Sequence, residues 1–171
     1  FQTGSGRDSE LFTLVTEEDA QLMVVSINYR LDALGYLYLK DRLPGCEADG
    51  NLGMYDQLCA LQWVRKNIAS FGGDPENITL HGVSAGGKSV GAMMLTPKAK
   101  PLFTKAILSS GGIMAVRTPE TARILSQRYL DILGLADIKE ILSCPVEKIL
   151  KAQLEFAKSA GSTCLFAPVA D

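Results

Sequence analysis

The sequence predicts an α/β fold built on a parallel sheet, and three observations predict it. Segments of strand character alternate with segments of helical periodicity. The strand segments open on continuous apolar or β-branched runs, as strands buried on both faces do. Clusters of Gly, Pro, Asp and Asn punctuate the junctions. The first strand is "LMVVSINYR" (22–30). "DALGYLYLKDRLPGCEADGN" (32–51) is broken by Gly, Pro and Asp and predicts a loop. From Leu52 to Phe71, the residues Met54, Leu58, Leu61, Val64 and Ile68 recur at spacings of three and four, which places them on one helix face. "GGDPEN" (72–77) supplies the turn that ends it. "ITLHGV" (78–83) predicts the second strand, residues 84–95 a helix, and "KAILSSGG" (105–112) a third strand. Thr118-Pro119-Glu120 is a helix start, with a hydroxyl cap and proline in the first turn, and Gly134 after Leu133 is its stop. A further helix spans about Pro145 to Ala160, and "LFAPVAD" closes the chain in extended form. The expectation is one domain, with a three-stranded parallel sheet core and flanking helices in 1–112 and a mainly helical part in 113–171.

The chain has 171 residues, of which 47% are hydrophobic and 21% charged, a globular rather than a disordered balance. The formal net charge is −2, so neither nucleic acid nor anionic lipid is expected as a partner. No apolar run approaches the roughly 20 residues that cross a bilayer. The opening "FQTGSGRDSE" has neither the basic start nor the apolar stretch of a signal peptide. Cys46, Cys59, Cys144 and Cys164 show no C-x-x-C spacing, which speaks against a metal site, and no cofactor is expected. Four cysteines allow up to two disulfides, but Cys59 falls inside a predicted helix and is read as a buried thiol. The compartment stays open, with a cytoplasmic one slightly favoured.

The segment that carries chemistry is "ITLHGVSAGG" (78–87). A strand that ends in Gly-x-Ser-x-Gly and opens a helix forces the serine into a strained turn, and its neighbours two residues away must be small. Gly82 and Gly86 meet that need. The turn lifts the Ser84 hydroxyl clear of the strand's carboxyl end. It also directs the Ala85 N–H, at a helix N-terminus, toward a developing oxyanion. The alternative reading is a Gly-rich helix start with an incidental serine. His81 is the one histidine, three residues upstream in the same strand. Its side chain is expected below the turn, as a packed strand histidine rather than a base.

"FGGDPENITLHGVSAGG" (71–87), "GNLGMYDQLCALQWVRKNIASFGGDP" (50–75), "VVSINYRL" (24–31), "AILSSG" (106–111) and the final "FAPVAD" resemble the type-B carboxylesterase and cholinesterase family of α/β hydrolases. The resemblance covers nearly the whole chain. It implies a partial α/β-hydrolase fold and a serine carboxylesterase that works through an acyl-enzyme on small-molecule esters. It implies Ser84 as nucleophile, the Ala85 N–H as an oxyanion donor, Ser110 as a hydrogen-bonding support of the catalytic acid, and a structural ion pair between Arg30 and Asp74. There are departures. The family usually has Glu where Val83 stands, Gly where Asp32 stands, and an aromatic residue where His81 stands. The loss of a carboxylate at Val83 removes a charge beside the nucleophile.

In the family the acid and the base follow the "P-V-x-D" segment, and a His-Gly-Gly-Gly motif precedes the position of Phe1. The chain therefore resembles the interior of a longer carboxylesterase. A lost oxyanion donor costs about 10²–10³ in rate and a disabled triad on the order of 10⁶, so almost no esterase activity is expected of these residues alone. The alternative is a non-catalytic cholinesterase-like interaction domain, against which the intact Gly-x-Ser-x-Gly turn speaks. In the family fold another strand lies between 22–30 and 78–83. Its absence leaves two expectations: residues 22–30 move over to pair directly with 78–83, or bare sheet edges remain, through which the chain self-associates; the second is favoured.

Overall fold

The computed structural model describes residues 4–8, 13, 15–16, 21–43, 45–46, 49–112, 116–162 and 164–170; Phe1 lies outside them. The helices are α1 (Asp32–Tyr36), α2 (Leu52–Asn67), α3 (Ala85–Leu95), α4 (Pro119–Leu133) and α5 (Val146–Ala160). Two strands, β1 (Thr79–Val83) and β2 (Lys105–Ser109), pair in parallel, from Thr79 opposite Lys105 to Val83 opposite Ser109. They flank α3, and the three form a β–α–β unit. No helix among the described residues is long and apolar enough to cross a membrane.

The three-stranded sheet is corrected to two strands among the described residues. Residues 22–30 run beside the sheet without a ladder to it, and Leu22, Met23 and Val25 stay largely exposed. The buried strand expected at 22–30 is therefore not formed: the run has strand composition, but a strand needs a neighbouring edge within hydrogen-bonding distance. A cleft of about 710 Å³ separates these residues from β1.

The helices follow their local signals. Met54, Leu61 and Ile68 are buried along the face expected for α2, and a short 3₁₀ turn, Ile68–Phe71, extends it to Gly72 at φ 89°. There the N–H of Gly73 closes back on the carbonyl of Ile68 at 3.0 Å, which satisfies a helix-end carbonyl. Thr118 accepts a hydrogen bond from the Thr121 N–H at 3.2 Å, and Gly134 stops α4 at φ 62°. Gly161 ends α5 at φ 59° in the same way.

The stretch 32–51, expected as a loop, holds the short helix α1 and a bridge between Tyr38 and Asp49. Turn-forming Gly, Asp and Pro do not keep this stretch irregular or exposed. The apolar residues between them, Tyr36, Leu37, Tyr38 and Leu39, are all buried.

The core lies mostly at the helical end. Tyr129 and Phe156 are fully buried and stack edge-on with Phe166, at centroid distances of 5.6–6.0 Å. The Tyr129 hydroxyl donates to the Ile149 carbonyl at 3.0 Å, which removes the cost of burying it. The closing segment is extended, as expected. Val169 bridges Arg117 in parallel, and the side chain of Asn51 takes both backbone groups of Val169 at 2.9 and 3.0 Å.

Cys59 is exposed rather than buried, because α2 turns that face to solvent. Cys46, Cys59 and Cys144 carry free thiols, and Cys164 is exposed.

The expected Arg30–Asp74 pair is not formed. Arg30 instead makes a two-pronged contact with Asp56 on α2, from Nε at 2.8 Å and Nη2 at 2.7 Å, and its backbone N–H adds a third bond at 2.9 Å. Asp74 is occupied locally, accepting the Glu76 N–H at 2.8 Å in its own turn. The flat guanidinium fits the two oxygens of the Asp56 carboxylate, and that geometry wins. Hydrogen bonding to Arg30 holds the Asp56 carboxyl below the usual carboxylate range. Its contribution is therefore present above the unfolded carboxyl pKa and lost as pH falls through the lowered folded value. Since Arg30 is half exposed, solvent weakens the pair, and Asp56→Ala is expected to cost about 1–2 kcal/mol at pH 7. Urea titrations at pH 7 and pH 3 check this, with the difference shrinking at the lower pH.

Candidate active site

Ser84 lies between the carboxyl end of β1 and the first residue of α3, with φ 53° and ψ −112°. Few non-glycine residues take positive φ, and such a backbone costs on the order of 1–3 kcal/mol. Three contacts impose it. The Ser84 N–H donates to the Ser109 carbonyl at 2.8 Å, which holds the end of β1 against β2. Its carbonyl accepts the Lys88 N–H at 3.0 Å, which starts α3. The helix then folds back onto its own strand: a Cβ on Gly82 would stand 2.2 Å from the backbone of Gly86. The reversal is so tight that only glycine fits at 82.

Gly86 behaves differently. A Cβ there would meet nothing within 4 Å. The tight partners are Gly87 and Gly111, which the sequence reading passed over. A Cβ on Gly111 would lie 2.5 Å from the Ser84 carbonyl oxygen and 2.8 Å from the Gly87 Cα. The signal that could have found them is the doubling of glycine after each serine turn, "SAGG" and "SSGG".

β2 ends as β1 does. Ser110, one residue past the strand, has φ 53°. Two serines in the same uncommon backbone region thus stand at neighbouring strand ends. Ser84 is exposed, and its hydroxyl has no hydrogen-bond partner among the described residues. Val83 beside it is 58% exposed. Ala85 is the first residue of α3, so its N–H has no partner within the helix and lies at the positive end of the helix dipole. Ala85 and Gly86 border a cavity of about 370 Å³ whose far side carries Gly4, Ser26 and Asn28. The structure brings Ser84, Ala85, Gly82, Gly86 and Ser110 together. It leaves Arg30 and Asp74 out of this site. His81 lines the larger cleft beside β1 and makes no hydrogen bond to Ser84.

Comparison with known proteins bears on this arrangement. The model of the carboxylesterase family matches residues 1–171. The chain belongs to the carboxylesterase family. Within that family it is 38% identical to para-nitrobenzyl esterase of Bacillus subtilis (strain 168) over 170 residues, 97% of this chain and 34% of that protein. It is 51% identical to the cholinesterase of Mus musculus over 107 residues, 60% of this chain and 17% of that protein. Among solved structures, the carboxylesterase EST55 of Geobacillus stearothermophilus superposes with a TM-score of 0.75 at 44% identity, covering 83% of this chain and 30% of that one. The chain thus spans about a third of the length of the carboxylesterases it matches. Its architecture is a partial α/β-hydrolase fold, a small parallel sheet with several helices.

Proposed function

We propose that Ser84 is the nucleophile of a serine carboxylic-ester hydrolase, and that this chain carries the nucleophile turn of that enzyme. The observation that supports this most is the backbone of Ser84. An exposed serine held at φ 53° by two backbone hydrogen bonds and the close approach of Gly82 to Gly86 serves no packing purpose. Strain kept at one exposed hydroxyl fits a position fixed for chemistry. In this reading the Ser84 Oγ attacks an ester carbonyl, its proton passes to a base, and the tetrahedral oxyanion forms beside the Ala85 N–H. That donor is preorganised and strengthens as charge develops. Collapse expels the alcohol and leaves an acyl-enzyme on Ser84, which water then hydrolyses. Ser110 stands one strand over, where its hydroxyl could hydrogen-bond the catalytic acid.

A base must come within about 2.6–3.2 Å of Oγ. His81 is turned into the neighbouring cleft, so the 171-residue chain is expected to hydrolyse a p-nitrophenyl ester no faster than its Ser84→Ala variant. The nucleophile itself is tested in a polypeptide that carries this chain at the length of its relatives. A fluorophosphonate probe is expected to label that protein at the peptide containing Ser84, and Ser84→Ala to abolish the label. Labelling elsewhere, or none in a folded protein, would favour the non-catalytic interaction domain.

A further inference from the structure

We propose that Ser89 and Gln57 are positioning residues for the oxyanion donor at Ala85. This rests on the reading of Ser84 as nucleophile and adds two residues that reading does not use. Ser89 lies on α3 and Gln57 on α2, and both are buried. The Ser89 Oγ donates to the Ala85 carbonyl at 3.2 Å, four residues back along α3. The Gln57 side-chain amide donates to the same Oγ at 3.3 Å. Tyr29, from the run beside the sheet, is also hydrogen-bonded to the Ser89 side chain. A hydroxyl offers one proton and two lone pairs, so one oxygen can serve all three partners. Three segments thus converge on a single buried oxygen at the first turn of α3.

Helix stability alone does not call for this hub. A serine that bonds back to the carbonyl four residues earlier slightly destabilises a helix and often bends it. Alanine is the better helix former and brings no polar group that burial could strand. What the hub holds is the backbone next to the donor. The Ala85 N–H shares a peptide plane with the Ser84 carbonyl, which accepts the Lys88 N–H at 3.0 Å. The Ala85 carbonyl belongs to the next plane, and Ser89 fixes that one through a side chain tied to α2. The two planes hinge at the Ala85 Cα. With both held, the N–H keeps one direction as charge develops, which preorganisation requires. Main-chain bonds alone would leave this turn loose. It is the end of a helix, where fraying begins, and two helix-weakening glycines, Gly86 and Gly87, follow the donor.

The test uses the polypeptide at the length of the relatives and counts working sites first. Endpoint labelling by a fluorophosphonate gives the fraction of molecules with a reactive Ser84. Per labelled site, Ser89→Ala is expected to lower kcat for a p-nitrophenyl ester about tenfold, with KM within about twofold. That is less than the loss of about 10²–10³ when a donor is removed outright. Ser89→Thr keeps a hydroxyl that can reach the same carbonyl and should restore most of the rate. Gln57→Met removes one donor at similar volume and should give a smaller loss in the same direction. Added to Ser89→Ala it should cost nothing further, because both act through one oxygen. In the 171-residue chain, Ser89→Ala should speed exchange of the Lys88 amide about tenfold and leave the amides of α4 and α5 unchanged.

An unchanged kcat per labelled site in Ser89→Ala overturns the proposal; should that variant not label, Gln57→Met decides in its place. Faster exchange throughout the chain also overturns it, since Ser89 would then be a general support of the fold. If the unsubstituted polypeptide labels elsewhere than at Ser84, the nucleophile reading fails and the positioning role falls with it. Labelling at Ser84 with an unchanged kcat sinks the positioning role alone.

Discussion

Gly82→Ala is expected to cost at least about 3 kcal/mol and to dismantle the turn that holds Ser84. The added Cβ would sit 2.2 Å from both the carbonyl carbon and the oxygen of Gly86 and 2.7 Å from the Gly87 nitrogen. All are backbone atoms, so no rotamer change relieves the clash. Either α3 moves off β1, or Ser84 leaves its positive φ. Gly86→Ala, at the other end of the same Gly-x-Ser-x-Gly motif, should do the reverse. Its Cβ enters open space, and replacing glycine in a helix gains about 0.5–1 kcal/mol. Urea unfolding of the two variants beside the parent chain measures both. Equal losses would mean that the motif's glycines are kept for a shared reason, and that the close approach at Gly82 is not the cause.

Asp32→Asn is expected to raise stability by about 1–3 kcal/mol at pH 7.5 and by much less at pH 4. Asp32 is 7% exposed and has φ 47°. Burial pushes its carboxyl up to about 6. Its folded pKa thus lies above the unfolded one, near 3.9. Between those values the folded chain holds a proton that the unfolded chain has released, so stability falls as pH rises through that window and stays low above it. The Gln153 side chain donates to Asp32 at 2.6 Å and accepts the Ala33 N–H at 3.2 Å, joining α5 to the start of α1. Asparagine keeps an acceptor for Gln153, tolerates a left-handed backbone and carries no charge. Thermal melts at the two pH values decide it: a gain of the same size at both would locate the penalty in backbone strain rather than in the carboxylate.

What could be read from the sequence follows the range of the forces involved. Thr118 and Gly134 act within one helix turn, and the ends of α4 fell where those residues placed them. The turn at Ser84 was legible because two of its three constraints, Gly82 against Gly86 and the start of α3 at Lys88, lie within a few positions along the chain. Gly111 was not, because the groups it must avoid belong to Ser84 and Gly87, more than 20 residues earlier. The Arg30 partner failed for a related reason. Asp56 and Asp74 are both acidic and near in sequence, and only the direction of α2 chooses between them. The strand character of 22–30 was equally plain, yet a ladder depends on which backbone lies alongside, and composition does not record that. Burial in 32–51 was hidden by glycine and proline, although the apolar residues between them were present.

The distribution of the core also bears on how unfolding would be observed. The chain's single tryptophan, Trp63, is 51% exposed and lies against Phe71, which is itself exposed, at the far end of α2. Tyr129 is enclosed by Phe156 and Phe166. Tryptophan emission therefore reports a solvent-washed rim, while the interior is sensed by the buried Tyr36, Tyr38 and Tyr129. A chain that loosened at the sheet while its helical end stayed closed would leave the signals of Trp63 and Tyr129 little changed. Backbone probes placed in β1 would be the first to register it.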